Sequence, residues 1–132
     1  MRDHLFHLAI PVWDLDVARQ FYVTALGCKL ARTYPDRITL DFFGDQVVCH
    51  LSPPSPQSEA LSLYPRHFGA TFFRGEDFDL LHELATMRRI RFFQDVSTRF
   101  EGTAEAHRTF VLQDPFENLI EFKHYRDPRM AY

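Results

Sequence analysis

Four side chains that can bind a metal ion occupy related places in the two halves of this 132-residue chain: His7, His50, His67 and Glu121. Imidazole and carboxylate groups suit Zn, Mn, Fe, Co and Ni, and two His plus one carboxylate leave coordination positions open for a substrate. We therefore predict that His7, His67 and Glu121 are ligands of a divalent metal ion. His50 is a further candidate, as a fourth ligand, a general acid or base, or a substrate contact.

The relation between these residues rests on a repeat of secondary-structure elements. In each half the hydrophobic pattern predicts the order β-α-β-β-β. The first copy spans about residues 3–51, the second spans about 66–125, and a tail follows at 126–132. Residues 52–65 are rich in Pro and Ser, which helices and sheet interiors tolerate poorly, and we interpret them as a linker. The sequence thus predicts one α+β domain of 132 residues made of two βαβββ modules.

Cap and turn residues indicate where the elements begin and end. Asp14 is placed to cap the first helix and Gly27 to end it. Glu76 or Asp77 is placed to cap the second helix. The polar stretch from Gln94 to Ala106 is expected to be a long loop, and loops of that length are often lids or binding loops.

Strand alternation predicts that the candidate ligands share a face within each module. Side chains two positions apart point to the same side of a strand. Aligning the first strands sets His7 with His67, each followed two positions later by a small residue that leaves room for a ligand. Aligning the last strands sets His50 opposite Glu121. A buried carboxylate is costly to ionise alone, and metal ligation removes that cost.

The remaining His and Phe residues are expected to lie outside the metal site. Four histidines are assigned to the surface or to structural roles: His4, His82, His107 and His124. The fourteen Phe residues are expected to pack the core. Phe73, Phe93 and Phe110 are alternative candidates for the lining of a cavity.

Composition limits the classes of partner. The net charge of −3 shows no excess of basic residues, so we expect no nucleic acid partner. No apolar run approaches the roughly 18 residues of a membrane span, and the N-terminus has no signal-peptide pattern. We therefore expect a cytoplasmic protein, no membrane partner, reduced Cys28 and Cys49, and a small-molecule substrate.

Two motifs resemble those of the vicinal oxygen chelate superfamily, also called the glyoxalase/bleomycin resistance/dioxygenase superfamily. The first comprises residues 6–12, 14–15, 18–22 and 26–27, and contains the strand FHLAIPV and the helix segment ARQFY. The second is DPFENLIEF at residues 114–122. The resemblance covers nearly the whole chain and is specific for the superfamily rather than for one reaction.

The resemblance implies that each module curls into a half-barrel and that the pair forms a cleft with a divalent metal. The family's metal positions correspond to His7, His67 and Glu121, and its variable fourth position to His50. Many members dimerise, so a homodimer is expected. The identity of the metal (Fe, Mn, Zn, Ni or Co) is left open.

The resemblance implies an enzyme that binds a small molecule through two adjacent oxygens on the metal, with a dioxygenase-like reaction as the first hypothesis. The alternatives are a glyoxalase-type lyase or isomerase, with His50 as its base, and a non-catalytic ligand-binding protein of the bleomycin-resistance type. Three positions depart from the family pattern. Val111 stands where extradiol dioxygenases carry Tyr, Glu117 where Gly is common, and His50 where glyoxalase I enzymes usually carry Glu.

Overall fold

The chain folds into two compact units. The computed structural model describes residues 2–54 and 60–132. Unit 1 comprises Met1–Ala60 with Pro115–Asn118, and unit 2 comprises Leu61–Asp114 with Leu119–Tyr132. The middle of the predicted linker, residues 55–59, lies outside the described residues.

Unit 1 contains one helix and one four-stranded mixed sheet. Its elements are β1 (His7–Val12), α1 (Leu15–Arg19), a π-helical continuation (Gln20–Ala25), β2 (Lys29–Thr33), β3 (Arg37–Phe42) and β4 (Asp45–Leu51). The strand order is β1-β4-β3-β2, with β1 parallel to β4 and the other pairs antiparallel. The predicted order β-α-β-β-β is confirmed for this unit.

The predicted ends of the first helix are confirmed. The Asp14 carboxylate accepts a hydrogen bond from the Val17 N–H at 3.0 Å, which satisfies one of the free donors of the first turn. Gly27 follows the helix with a φ of +92°, a backbone conformation that glycine adopts without strain. The helix buries Ala18 and Tyr22 completely, so its apolar face anchors it in unit 1.

Unit 2 repeats the same order of elements. It contains β5 (Phe68–Thr71), α2 (Gly75–Met87), β6 (Phe92–Arg99), β7 (His107–Gln113) and β8 (Leu119–Tyr125), followed by a 3₁₀ turn at Pro128–Ala131. The strand order is β5-β8-β7-β6, with β5 parallel to β8. The prediction of an α+β chain with two βαβββ modules is therefore confirmed.

Two local predictions for unit 2 are wrong. Helix α2 starts at Gly75, and its N-cap residue Arg74 makes no side-chain capping bond, so neither Glu76 nor Asp77 is the cap. Strand β6 extends through the first part of the predicted loop, as far as Arg99. The register of β6 against β7 shifts twice, and such bulges break the regular alternation on which the loop prediction relied.

A cluster of Phe rings fills the core of unit 2. Phe110 is fully buried and contacts Phe78 at 5.0 Å, Phe122 at 5.5 Å and Phe92 at 5.8 Å between ring centroids. Phe110 is thus a core residue, and the alternative assignment of this side chain to a cavity is wrong. These edge-to-face and tilted contacts join α2 to its sheet.

Both cysteines, Cys28 and Cys49, are buried thiols. None of the helices in residues 2–54 and 60–132 has the length and hydropathy needed to cross a bilayer.

Candidate metal-binding site

Two of the predicted ligands face each other in unit 2. The Nε2 atom of His67 lies 3.1 Å from the Oε1 atom of Glu121. His67 lies just before β5, and Glu121 lies in the middle of β8, where it pairs with Gly69. Only 8% of the Glu121 side chain is exposed, compared with 24% for His67. The pairing of β5 with β8 therefore brings these two side chains together.

A second layer of hydrogen bonds orients both groups. The Nδ1–H of His67 donates to the carbonyl oxygen of Leu63 at 2.7 Å, which turns Nε2 towards Glu121. The hydroxyl of Thr109 donates to Oε2 of Glu121 at 2.6 Å. Metal-binding His and carboxylate groups typically have such outer partners, which fix the tautomer and the orientation of the ligand.

The electrostatics of this pair favour a cation. In the neutral imidazole the lone pair of Nε2 points at a carboxylate oxygen, and two lone pairs repel each other at this distance. A proton or a metal ion between His67 and Glu121 converts the repulsion into attraction. The donor set therefore fits half of a divalent metal site.

Gly69 allows the close approach of β5 to β8. A Cβ atom added at Gly69 would lie 1.6 Å from the carbonyl oxygen of Glu121. No side chain fits in this space without moving one of the two strands. Glycine at this position therefore lets the two backbones lie close together next to His67. The sequence had suggested a different role, which is to leave room for a ligand.

The third predicted ligand, His7, has a comparable partner in unit 1. Its Nδ1 lies 2.8 Å from the side-chain oxygen of Gln46, its register partner on β4. With the proton on Nδ1, the Nε2 atom keeps its lone pair for a ligand. His7 is exposed.

His50 does not stand at the position equivalent to Glu121. In unit 2, Gly69 pairs with Glu121, and in unit 1 its counterpart Ala9 pairs with Val48. The alignment that set His50 opposite Glu121 is therefore shifted by two residues, and the buried Val48 takes the equivalent place. In each unit, the parallel pairing of the first strand with the last strand fixes the register. The sequence alignment instead matched the turns that precede the two last strands. His50 itself is exposed near the end of β4, on the same face as Gln46.

Among the four remaining histidines, His82 differs from the expectation of a solvated residue on the second helix. His107 is buried, with 5% of its surface exposed, and its Nδ1–H donates to the carbonyl of Glu105. His82 is only partly solvated, because it packs between Phe92 and Phe110 and contacts Asp95 at 2.8 Å. His124 donates to the carbonyl of Phe72, and His4 is exposed as expected.

The supporting residues Thr109, Leu63 and Gln46 were not predicted. The signal for Gln46 was present, because it lies four positions before His50 on the last predicted strand of the first module and therefore on the same face. Thr109 and Leu63 had no signal, because their contacts cross between elements and depend on register and loop conformation. Within residues 2–54 and 60–132, no group of three or more His, Cys, Asp or Glu side chains is gathered tightly enough to hold a metal ion.

A surface recess of about 180 Å³ lies elsewhere in unit 1, lined by Gly27, Cys28, Lys29, Asp41 and Phe43. Burial, followed by the nearby Asp41 carboxylate, raises the pKa of the Cys28 thiol to about 12. The thiol is therefore protonated at neutral pH, and the recess offers no activated nucleophile.

Comparison with known proteins identifies the family. The sequence profile of the Glyoxalase/Bleomycin resistance protein/Dioxygenase superfamily matches residues 4–122. The chain belongs to this superfamily. Its two four-stranded mixed sheets with few helices match the paired-module fold of the glyoxalase superfamily.

Solved structures of the glyoxalase superfamily share this fold. A glyoxalase/bleomycin resistance protein/dioxygenase from Alicyclobacillus acidocaldarius is 61% identical, with a TM-score of 0.92, and the match covers 98% of this chain and 97% of that one. Lactoylglutathione lyase from Agrobacterium tumefaciens is 17% identical, with a TM-score of 0.70 and coverage of 93% and 94%. The fosfomycin resistance protein FosX from Listeria monocytogenes is 16% identical, with a TM-score of 0.69 and coverage of 98% and 99%. The comparison with curated proteins gives no significant match.

Proposed function

We propose that the protein is a divalent-metal-dependent enzyme acting on a small molecule that binds the metal through two adjacent oxygens. The observation that carries this proposal is the His67–Glu121 pair, with Nε2 and Oε1 3.1 Å apart and both groups held by outer hydrogen bonds. His7, with its free Nε2, is the proposed third ligand. A metal bound by these residues would act as a Lewis acid that polarises the substrate oxygens.

The protein's own residues would fix the geometry of the reaction. Leu63 and Thr109 hold the two ligands of unit 2 in one rotamer each, so little reorganisation is needed on binding. The buried carboxylate of Glu121 supplies negative charge against the cation.

Among superfamily reactions, we favour a dioxygenase-like one. The support is the register of unit 1, which puts the apolar Val48 in the place equivalent to Glu121. The proposed set then has two His and one carboxylate, which leaves positions open for substrate and a second reactant, as in non-haem Fe(II) oxygenases.

Metal analysis of purified variants tests the ligand assignment. Wild-type protein, stripped and reloaded with Fe(II) or Mn(II), is expected to hold about one metal ion per chain. The variants His67→Ala and Glu121→Ala are each expected to lose most of it. The matched controls His4→Ala and Glu83→Ala remove exposed residues of the same types and should retain full occupancy. Full occupancy in both ligand variants would contradict the assignment.

Oxygen uptake then tests the reaction class. Fe(II)-loaded protein should consume oxygen with at least one member of a broad panel of catechols. If no catechol supports uptake although the metal is bound, the dioxygenase-like reaction is wrong and the metal site stands.

A glyoxalase-type isomerase is the second candidate, supported by the exposed His50 on the same face of β4 as Gln46, the partner of His7. In that reaction His50 would act as the general base. Isomerase turnover that survives the change His50→Ala would rule out this role. The non-catalytic binding protein, the homodimer and the cytoplasmic location remain predictions.

A further inference from the structure

One face of the unit 2 sheet carries two cations beside the His67–Glu121 pair. The antiparallel register of β7 with β8 pairs Val111 with Glu121 and Thr109 with Lys123. Because alternate residues share a face, Lys123 lies on the same side of the sheet as Glu121, two positions along β8. This separation corresponds to about 7 Å along the strand.

Arg99 reaches the same region through Tyr64. The guanidinium of Arg99 donates a hydrogen bond to the hydroxyl of Tyr64 and lies 5.9 Å from the centre of its ring. The ring of Tyr64 in turn lies 5.8 Å from the ring of His67. A chain of direct contacts therefore runs from the proposed metal ligand His67 to the guanidinium of Arg99.

Tyrosine hydroxyls, rather than carboxylates, hold both cations. The ammonium group of Lys123 donates to the hydroxyl of Tyr125 at 3.2 Å. Arg99 and Lys123 are half-buried, and neither forms an ion pair with a carboxylate anywhere in residues 2–54 and 60–132. The tyrosines fix the direction of each cation without neutralising it.

The other arginines of unit 2 show that carboxylates are available for pairing. Four of them form ion pairs at 2.7 to 3.4 Å: Arg74 with Glu76, Arg108 with Asp79, Arg126 with Glu101, and Arg129 with Asp127. A half-buried cation left without a counter-ion is unfavourable until an anion binds to it. Within residues 61–132, Arg99, Arg108 and Lys123 are the half-buried arginine and lysine residues, and Arg108 forms an ion pair whereas the other two do not. These two uncompensated charges lie on the sheet face that carries the proposed ligands.

We infer that Arg99 and Lys123 form an anion-binding subsite that takes a carboxylate or phosphate-type group of the substrate. The inference rests on the proposed function, since it assigns a substrate class to the same site. The substrate is then a small anion with two adjacent oxygens at one end, directed to His67 and Glu121, and an anionic group at the other. The planar guanidinium of Arg99 can form two parallel hydrogen bonds to such a group, and Lys123 acts as a point charge.

Anion binding to the metal-free protein tests the subsite. The full-length protein is treated with EDTA, so that no metal attracts the probe, and is titrated separately with inorganic phosphate and with acetate by NMR. Saturable binding is expected for at least one probe, and the probe that binds distinguishes a phosphate-type from a carboxylate substrate. Binding of the probe should weaken about tenfold in Arg99→Gln and in Lys123→Gln. Arg99→Lys, which keeps the charge but not the fork, should fall between the wild type and Arg99→Gln.

The control is Arg108→Gln, which removes a half-buried cation on the opposite face of the unit 2 sheet and should leave binding unchanged. Absence of saturable binding by both probes would overturn the inference, and so would equal affinity in the wild type, Arg99→Gln and Arg99→Lys. Metal content measured on the same variants separates the two proposals. Loss of anion binding with full metal occupancy supports the subsite, whereas His67→Ala with full occupancy contradicts only the metal assignment.

Discussion

Two buried threonines of the same exposure allow one hydrogen bond of the site to be measured. Thr109 and Thr39 are each 2% exposed. The hydroxyl of Thr109 donates to Glu121 at 2.6 Å. The hydroxyl of Thr39 has no hydrogen-bond partner among the described residues. Replacing each by Val keeps the shape of the side chain and exchanges the hydroxyl for a methyl group.

We expect only one of the two substitutions to destabilise the protein. Thr109→Val removes a hydrogen bond to a charged group and leaves an oxygen of Glu121 buried without this donor, which should lower the free energy of unfolding by about 1.5–3 kcal/mol. Thr39→Val removes an unpaired buried hydroxyl and should leave the free energy of unfolding unchanged or raise it by up to about 2 kcal/mol. In a chain of this size, the loss in Thr109→Val corresponds to a fall in Tm of roughly 5–10 °C.

Urea unfolding of the two variants and the wild type, followed by circular dichroism, measures these differences from the midpoints if the m values agree. Thr109→Val should also weaken metal binding by roughly 10- to 100-fold, because it removes an outer partner of a proposed ligand. A Thr39→Val variant that is destabilised as much as Thr109→Val would refute the reasoning, since the bond to Glu121 would then contribute nothing particular.

Two further substitutions test backbone features near the site and in its turns. Gly69→Ala should destabilise the protein by at least about 2 kcal/mol in urea unfolding, because the new Cβ would lie 1.6 Å from the Glu121 carbonyl oxygen. The control is Gly75→Ala, whose new Cβ would lie 3.4 Å from its nearest neighbour, and it should change stability by less than about 1 kcal/mol. Glu117→Gly should raise Tm by a few degrees, because Glu117 has a φ of +68°, and Glu117→Ala, which keeps a Cβ, should give no such gain.

Two strands without bulges were predictable from the sequence. Strands β7 and β8 have the predicted bounds because each is rich in apolar residues and the Asp114–Pro115 turn separates them. The same regularity put Glu121 on the face that meets His67. Strand β6 was not predictable, because its bulges interrupt the alternation and its polar residues resemble a loop.

The partners of the candidate ligands were less accessible to sequence reasoning. The bond from Thr109 to Glu121 joins residues on neighbouring strands, and the bond from His67 to Leu63 depends on the conformation of the segment before β5. The misplacement of His50 has the same origin. The turns before the two last strands can be matched from the sequence, but the register depends on the parallel pairing of the first and last strands. That pairing is not visible in the sequence.

The short segment Pro115–Asn118 belongs to unit 1, although the strands on either side of it belong to unit 2. The side-chain amide of Asn118 donates to the carbonyl of Pro11 at 3.0 Å, and the ring of Phe116 packs edge-on against Trp13 at 5.1 Å. Four residues that lie some sixty positions further along the chain therefore complete the packing of the first module. A fragment that ends at the predicted linker would lack the contacts of Asn118 and Phe116, so we expect it to be less stable than the same residues within the whole chain.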